Sequence, residues 1–164
     1  MRRIPRLLGA LAVVAVLAVL AAAWSGWGWW RAASDDGAVR GRDRDAVAAA
    51  AGDALVALNT IDYRDGNAAL DRWIAVTSGQ LGTSLSGDRQ AQVARATTAK
   101  LVTTASLRQI AVTQLAGDTA RVIAVLDVSI AANGAAPQPG RSHLTADVAR
   151  AGGTWRITSV QAAG

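Results

Sequence analysis

Apolar and polar residues follow three different rhythms along this chain. From Leu7 to Trp24 there is no alternation at all. Eighteen apolar or small residues follow one another, and SGWGWW extends the stretch to Trp30. Roughly 20 helical residues cross the hydrocarbon core of a bilayer, so residues 7–30 predict a transmembrane anchor helix. Arg2, Arg3 and Arg6 precede it as a basic tail over 1–6, the flank expected on the cytoplasmic side. Trp24, Trp27, Trp29 and Trp30 crowd the other end, where indole rings settle at headgroup level. The prediction is a single-pass plasma-membrane protein, N-terminus inside and domain outside. Ala21-Ala22-Ala23 also offers a cleavage site, so a cleaved signal peptide is the competing reading, although the run exceeds an ordinary signal core.

Residues 31–43 (RAASDDGAVRGRD) are polar and read as a juxtamembrane linker, leaving 44–162 as the soluble domain. Over 44–62 the rhythm becomes helical. Val47, Ala51, Leu55, Leu58 and Ile61 recur at steps of three or four and define one apolar face. YRDGN interrupts it, with Gly66 as a turn and Asn67 as a cap for a short helix bearing Leu70, Trp73 and Ile74. Thr77-Ser-Gly-Gln80 has the spacing of a capping box. The better third helix is 88–105, with Val93, Thr97, Leu101 and Thr104 on one side.

The rhythm then shortens to two. Ile110, Val112 and Gln114 alternate with Ala111, Thr113 and Leu115, and Gly117-Asp118 makes a turn. Over 119–131, Val122, Ala124, Leu126, Val128 and Ile130 face one way, and Arg121, Ile123, Val125, Asp127 and Ser129 the other. Both faces are apolar at the middle, which predicts a central strand covered on both sides there. NGAAPQPG reads as a loop, a strand runs over 142–151, Gly152-Gly153 is a hairpin signal, and TWRITSVQ closes the domain. Helices first and four antiparallel strands afterwards predict an α+β fold, helices packed on one face of a curved sheet.

Composition changes little in this picture. The net charge is +5, of which the three tail arginines account for three, leaving about +2 for the rest. The remaining arginines are interspersed with aspartates and form no dense basic face, so nucleic acid is not an expected partner. Cysteine is absent, which rules out disulfides and thiolate metal sites. One histidine and scattered aspartates have no metal-ligand spacing, and no phosphate loop or nucleophile elbow is present. No catalytic, metal or cofactor residues are assigned.

His143, Asp127 and Asp147 are the groups that could serve acid–base chemistry. Alternation puts His143, Thr145 and Asp147 opposite Leu144, Ala146 and Val148, the pattern of a solvated outer face. Asp62, Tyr63 and Arg64 form the most polar spot near the helices, a candidate partner-contacting or cavity-mouth turn. Trp73 and Trp155 read as core anchors, the latter sharing its strand face with Ile157.

Three stretches carry a resemblance. DALVALNTIDYRDGNAALDRWIAVTSGQL, GDTARVIAVLDVSI and GGTWRITSV, in that order behind an anchor helix, resemble the Mce-associated membrane proteins of mycobacteria and related actinobacteria. The likeness runs from Asp53 to about Val160; the absence of Phe and the glycine-punctuated third helix depart from it. The resemblance implies a cystatin-like roll of the nuclear-transport-factor-2-like superfamily, outside the cytoplasmic membrane. It also implies a non-enzymatic accessory role in which the domain stabilises or assists Mce lipid-import complexes, with their subunits as partners. The alternative is an extracytoplasmic binder of a small apolar ligand or lipid in the cone of the roll. An isomerase or dehydratase is a third reading, and would need a buried polar pair inside the cone.

Overall fold

The structure is a computed structural model and describes residues 36–163. The basic tail, the anchor segment 7–30 with its four tryptophans and the first part of the linker lie outside the described residues. No helix among the described residues is long and apolar enough to cross a membrane. Residues Arg42–Gly164 form one compact unit.

The chain is α+β, with its helices laid on one face of a five-stranded antiparallel sheet in the order β1-β2-β3-β4-β5. The first helix, α1 (Asp36–Leu58), begins inside the expected linker and ends before Ile61. Its buried stripe is Val47, Ala51, Ala54 and Leu55, the i, i+4, i+7, i+8 spacing of one helical face. Gly52 lies beside this stripe, and a Cβ there would stand 2.7 Å from Leu107 Cδ2, so that part-exposed side chain would have to turn aside. The last carbonyls of α1 accept from side chains as well as from the Asn59 and Thr60 amides. Asn59 Nδ2 donates to Leu55 O, Thr60 Oγ1 to Val56 O and Trp73 Nε1 to Ala57 O, each at 2.8 Å.

Ile61 therefore leaves the helix. With Asp62 it forms β1 (Ile61–Asp62), a strand the sequence rhythm is too short to show, paired with Val102 and Thr103. A 3-10 turn over Tyr63–Asp65 leads directly into α2 (Gly66–Val76). Gly66 is thus the first helical residue and not a turn, and Asn67 lies inside the helix and does not cap it. The expected capping box does not form either. Thr77 Oγ1 donates back to Trp73 O at 2.8 Å, and Thr77 bridges Ile157 in parallel. The next helix, α3 (Gly79–Gly87), starts after Ser78 with no side-chain cap bond.

The fourth helix, α4 (Arg89–Thr98), stops seven residues short of the expected 105. Lys100 takes φ +44°, Leu101 N donates to Ala96 O at 2.9 Å and Lys100 N to Thr97 O at 3.1 Å. This is a Schellman closure with lysine where glycine is usual. Leu101 packs on Ala96 and Ile61 in a small second core with Ala69, Tyr63 and Trp73. Thr104, expected on that helix, lies in β2 (Val102–Ala116).

Next come β3 (Thr119–Ala131), β4 (Gln138–Ala151) and β5 (Thr154–Ala162). Two-residue turns join the outer hairpins. Gly117 (φ +57°) serves the β2–β3 turn, and Gly152 (φ +60°) and Gly153 (φ +82°) the β4–β5 turn. β4 begins inside the expected loop, so Pro139 is a strand residue opposite Ser129. It is tolerated because β5 pairs only with Leu144–Ala151 of β4 and needs no N–H from position 139.

The main core lies between the helices and the inner face of the sheet. Leu55, Leu126, Ile157, Val47 and Val122 are fully buried there, with Ala146 and Val148 beside them. β3 is covered on this side alone. Ile123, expected under a second layer, is 46% exposed on the other face, while Ile130, at the end of the inner-face row, is 45% exposed.

Candidate interaction surface

The uncovered face of the sheet holds two clusters of paired polar side chains. Register fixes which residues share it. Arg121 lies opposite Asp147, Ile123 opposite Thr145, Val125 opposite His143 and Asp127 opposite Arg141. On the neighbouring strand, Gln109 stands beside Val125 and Ala111 beside Ile123. His143 is exposed, on the face its alternation assigns, and Leu144, Ala146 and Val148 are buried on the other.

Two ion clusters frame this face. In the first, Asp127 accepts from Arg108 Nη1 at 3.1 Å and from Arg141 Nε at 3.2 Å, across three neighbouring strands. In the second, Asp147 accepts from Arg121 Nε at 2.7 Å and from Ser159 Oγ at 2.9 Å. The hydrogen bond from Arg141, then that from Arg108, holds the Asp127 carboxyl below the usual carboxylate range. The bond from Arg121 does the same for Asp147, helped by Ser159. Asp147 in turn raises the pKa of Arg121 through that hydrogen bond. Both aspartates are thus held as anions by arginine. Between the clusters lies a recess of about 240 Å³ lined by Gln109, Ala111, Ile123, Val125 and His143.

The turn Asp62-Tyr63-Arg64 is built locally. Asp62 Oδ1 accepts from Arg64 N at 2.9 Å, and its Oδ2 pairs with Arg64 Nη1 at 3.3 Å. The Arg64 guanidinium lies 5.1 Å from the centre of the Tyr63 ring. Tyr63 N donates to Leu101 O at 2.9 Å, which ties the turn to the start of β2. The three residues do come together, with Tyr63 packed on the small core and Arg64 in solvent.

Trp73 is half-buried on the small core, and its indole N–H serves the end of α1. Trp155 is half-buried against the main core beneath Arg150, whose guanidinium stands 4.8 Å from the ring centre. Arg150 also approaches Asp118 at 3.4 Å and Asp43 of α1 at 3.9 Å.

The arginines of the open face were not singled out by the sequence reading. Alternation alone puts Arg121 and Asp127 on one face of β3. Their partners on β2 and β4 follow only from register, which a bulge at Arg108 and the long β3–β4 connection conceal. Among the described residues, no group of three or more histidines and acids could hold a metal ion.

No protein-family profile and no curated protein matches this chain. Solved structures do. An IcmL-like type IV secretion system protein from Legionella pneumophila is 16% identical with a TM-score of 0.60, over 73% of this chain and 91% of that one. The periplasmic domain of DotI gives the same identity and TM-score, over 73% and 94%. CagV, a VirB8 homologue from the type IV secretion system of Helicobacter pylori, is 10% identical with a TM-score of 0.56, over 72% and 96%. The chain shares the fold of these proteins: helices on one face of an open antiparallel sheet.

Proposed function

We propose that this chain is a non-enzymatic, membrane-anchored accessory protein whose extracytoplasmic domain docks onto other subunits of an envelope complex. The observation that carries the reading is the one-sided sheet. Its inner face is covered by the helices over Val122, Ala124 and Leu126, while its outer face presents Ile123 to solvent between two ordered ion clusters. The groups best suited to acid–base work, His143 and Asp147, stand on that open face. General acid–base catalysis works best where water is excluded and a pKa is tuned toward neutrality; the two aspartates here are shifted the opposite way.

The apolar run 7–30 would hold the domain at the membrane and raise its effective concentration beside other tethered subunits. Two type IV secretion system proteins and the periplasmic domain of DotI stand among the structures of similar fold, which supports an envelope assembly as the setting. The three motifs described above favour subunits of Mce lipid-import complexes as the partners. The alternative, an apolar ligand held in the roll, has less support, because Leu55, Leu126 and Ile157 fill the interface between helices and sheet.

Immunoprecipitation of the full chain from native membranes tests the proposal. Enrichment of Mce-type or other envelope subunits is expected, and their absence under mild detergent would remove it.

A further inference from the structure

Among the described residues the first ion cluster is unbalanced. One carboxylate, Asp127, faces two guanidiniums, Arg108 and Arg141, which are 56% and 51% exposed. Asp127 holds the pair in place yet cancels only one of its two charges. His143 follows Arg141 on the same face of β4, and the apolar recess opens beside it. Same-face residues along a strand are about 7 Å apart, so Val125 lies about 7 Å and Ile123 about 13 Å from Asp127 along β3. A positive corner therefore adjoins an apolar recess, both in solvent.

Building on the docking role proposed above, we infer that this corner and recess bind an acidic–apolar segment of a partner protein. An apolar side chain of the segment fills the recess over Ile123 and Val125. A carboxylate about 7–13 Å farther along pairs with Arg108 and Arg141, completing their charge balance. A basic segment is excluded by the uncancelled charge. A second copy of this chain, packed face to face, fits poorly. Asp127 and Asp147 are already engaged by arginines, so among the described residues this face has no spare carboxylate to offer its twin. Both long edges are also blunted by bulges, at Leu107/Gln109 and Val112/Gln114 on β2 and opposite Asp147/Val148 on β5. The partner therefore meets the sheet on its face.

The test places a photo-crosslinking amino acid at Ile123 of the full chain in native membranes, with a control at exposed Ala91 on α4. The expected result is a protein adduct at 123 and none at 91, with the crosslinked peptide carrying Asp or Glu within a few residues of the attachment point. Arg141→Glu and, separately, Arg108→Glu should each cut its yield about fivefold or more, and Arg141→Lys should largely preserve it. Unchanged membrane abundance and melting temperature of the variants show that the loss is not unfolding. An adduct between two copies of this chain, a phospholipid adduct, or a yield indifferent to both reversals would overturn the inference. If envelope subunits co-precipitate but nothing crosslinks at 123, this surface is wrong and the accessory role stands. If neither occurs, both fall.

Discussion

Leu126→Ala and Ile123→Ala remove the same three carbons from one strand, on opposite faces. Leu126 is fully buried in the main core, and Ile123 is 46% exposed. Truncating a buried leucine to alanine costs about 2.7–5 kcal/mol, a transfer loss plus a residual-cavity term. Leu126 lies between Ala105, Leu107 and Val128 on the sheet and α1 above, where little can move in to fill the gap. The expected cost is near the middle of that range. At Ile123 the arithmetic differs. Three buried carbons would be worth about 2.4 kcal/mol at about 0.8 per methylene. Roughly half of that side chain is already in water, which leaves about 1.2 kcal/mol, and an open face leaves no closed cavity behind.

Urea unfolding of a fragment spanning residues 42–164, followed by circular dichroism, measures both. With a slope of about 2 kcal/mol/M, Leu126→Ala should lower the midpoint by about 1.5–2.5 M and Ile123→Ala by about 0.6 M or less. Equal shifts would refute the reasoning, because they would mean that the outer face of β3 is covered as fully as the inner one. An unchanged slope in both variants is part of the expectation.

Other perturbations follow from single contacts. Trp73→Phe keeps a ring on the small core but leaves the Ala57 carbonyl without its indole donor; a loss of about 0.5–1.5 kcal/mol in urea unfolding is expected. Gly153→Ala forces an alanine into φ +82° at the β4–β5 turn and should cost about 1 kcal/mol, whereas the same change at exposed Gly87, with nothing within 4 Å of the new Cβ, should be neutral or stabilising. The folded-state pKa values of Asp127 and Asp147 are depressed, so their ion clusters stabilise the fold above the ordinary carboxylate pKa of about 3.9. That contribution is lost as the pH falls below it and through the depressed values. Asp147→Asn should therefore lower stability modestly at neutral pH, by about 0.2–1 kcal/mol as for exposed pairs, and should flatten the acid limb of a stability–pH profile; an acid limb identical to that of the unsubstituted chain would contradict this.

Where the sequence rhythm was long and regular, it located the elements. Val47, Ala51 and Leu55 form the buried stripe expected of them, and the β3 alternation is realised with Val122, Ala124 and Leu126 inside. Failures cluster at element ends, where a few hydrogen bonds decide. Residues 88–105 keep a helical spacing of Val93, Thr97 and Leu101, so nothing in the pattern marks Thr98 as a stop. Lys100 closes the helix in a conformation that favours glycine, and Leu101 is drawn onto Ala96 and Ile61 instead. Thr77 looks like a cap, yet its hydroxyl serves the preceding helix and its backbone joins β5, a tertiary contact with no local signature. Ile123 misled in a different way. Apolar character on both faces of β3 predicts two covering layers, but an apolar residue on the second face is equally what a docking surface requires. The ion clusters were hidden because each joins residues from two or three strands.

A sheet open on one side and ending in free edges has two ways to meet a partner. Strand addition would use the unpaired edge of β2 from Thr104 onward, since β1 covers only Val102 and Thr103. That edge is bent twice within ten residues, and each bulge breaks the even ladder of donors and acceptors that a foreign strand would need. The edge formed by β5 is broken in the same way beside Asp147. The open face, by contrast, is regular: β3 and β4 keep an uninterrupted register from Thr119/Ala149 to Ile130/Gln138. Irregularity thus falls on the edge strands, where indiscriminate pairing would occur and where Arg108 sits in a bulge, and order on β3 and β4, where Ile123, Asp127, Arg121 and Arg141 stand. Face-on docking to an acidic–apolar segment reconciles both features. It also explains how Ile123 can stay exposed in the isolated domain: on this reading it is the one large apolar side chain of the recess left for a partner to cover.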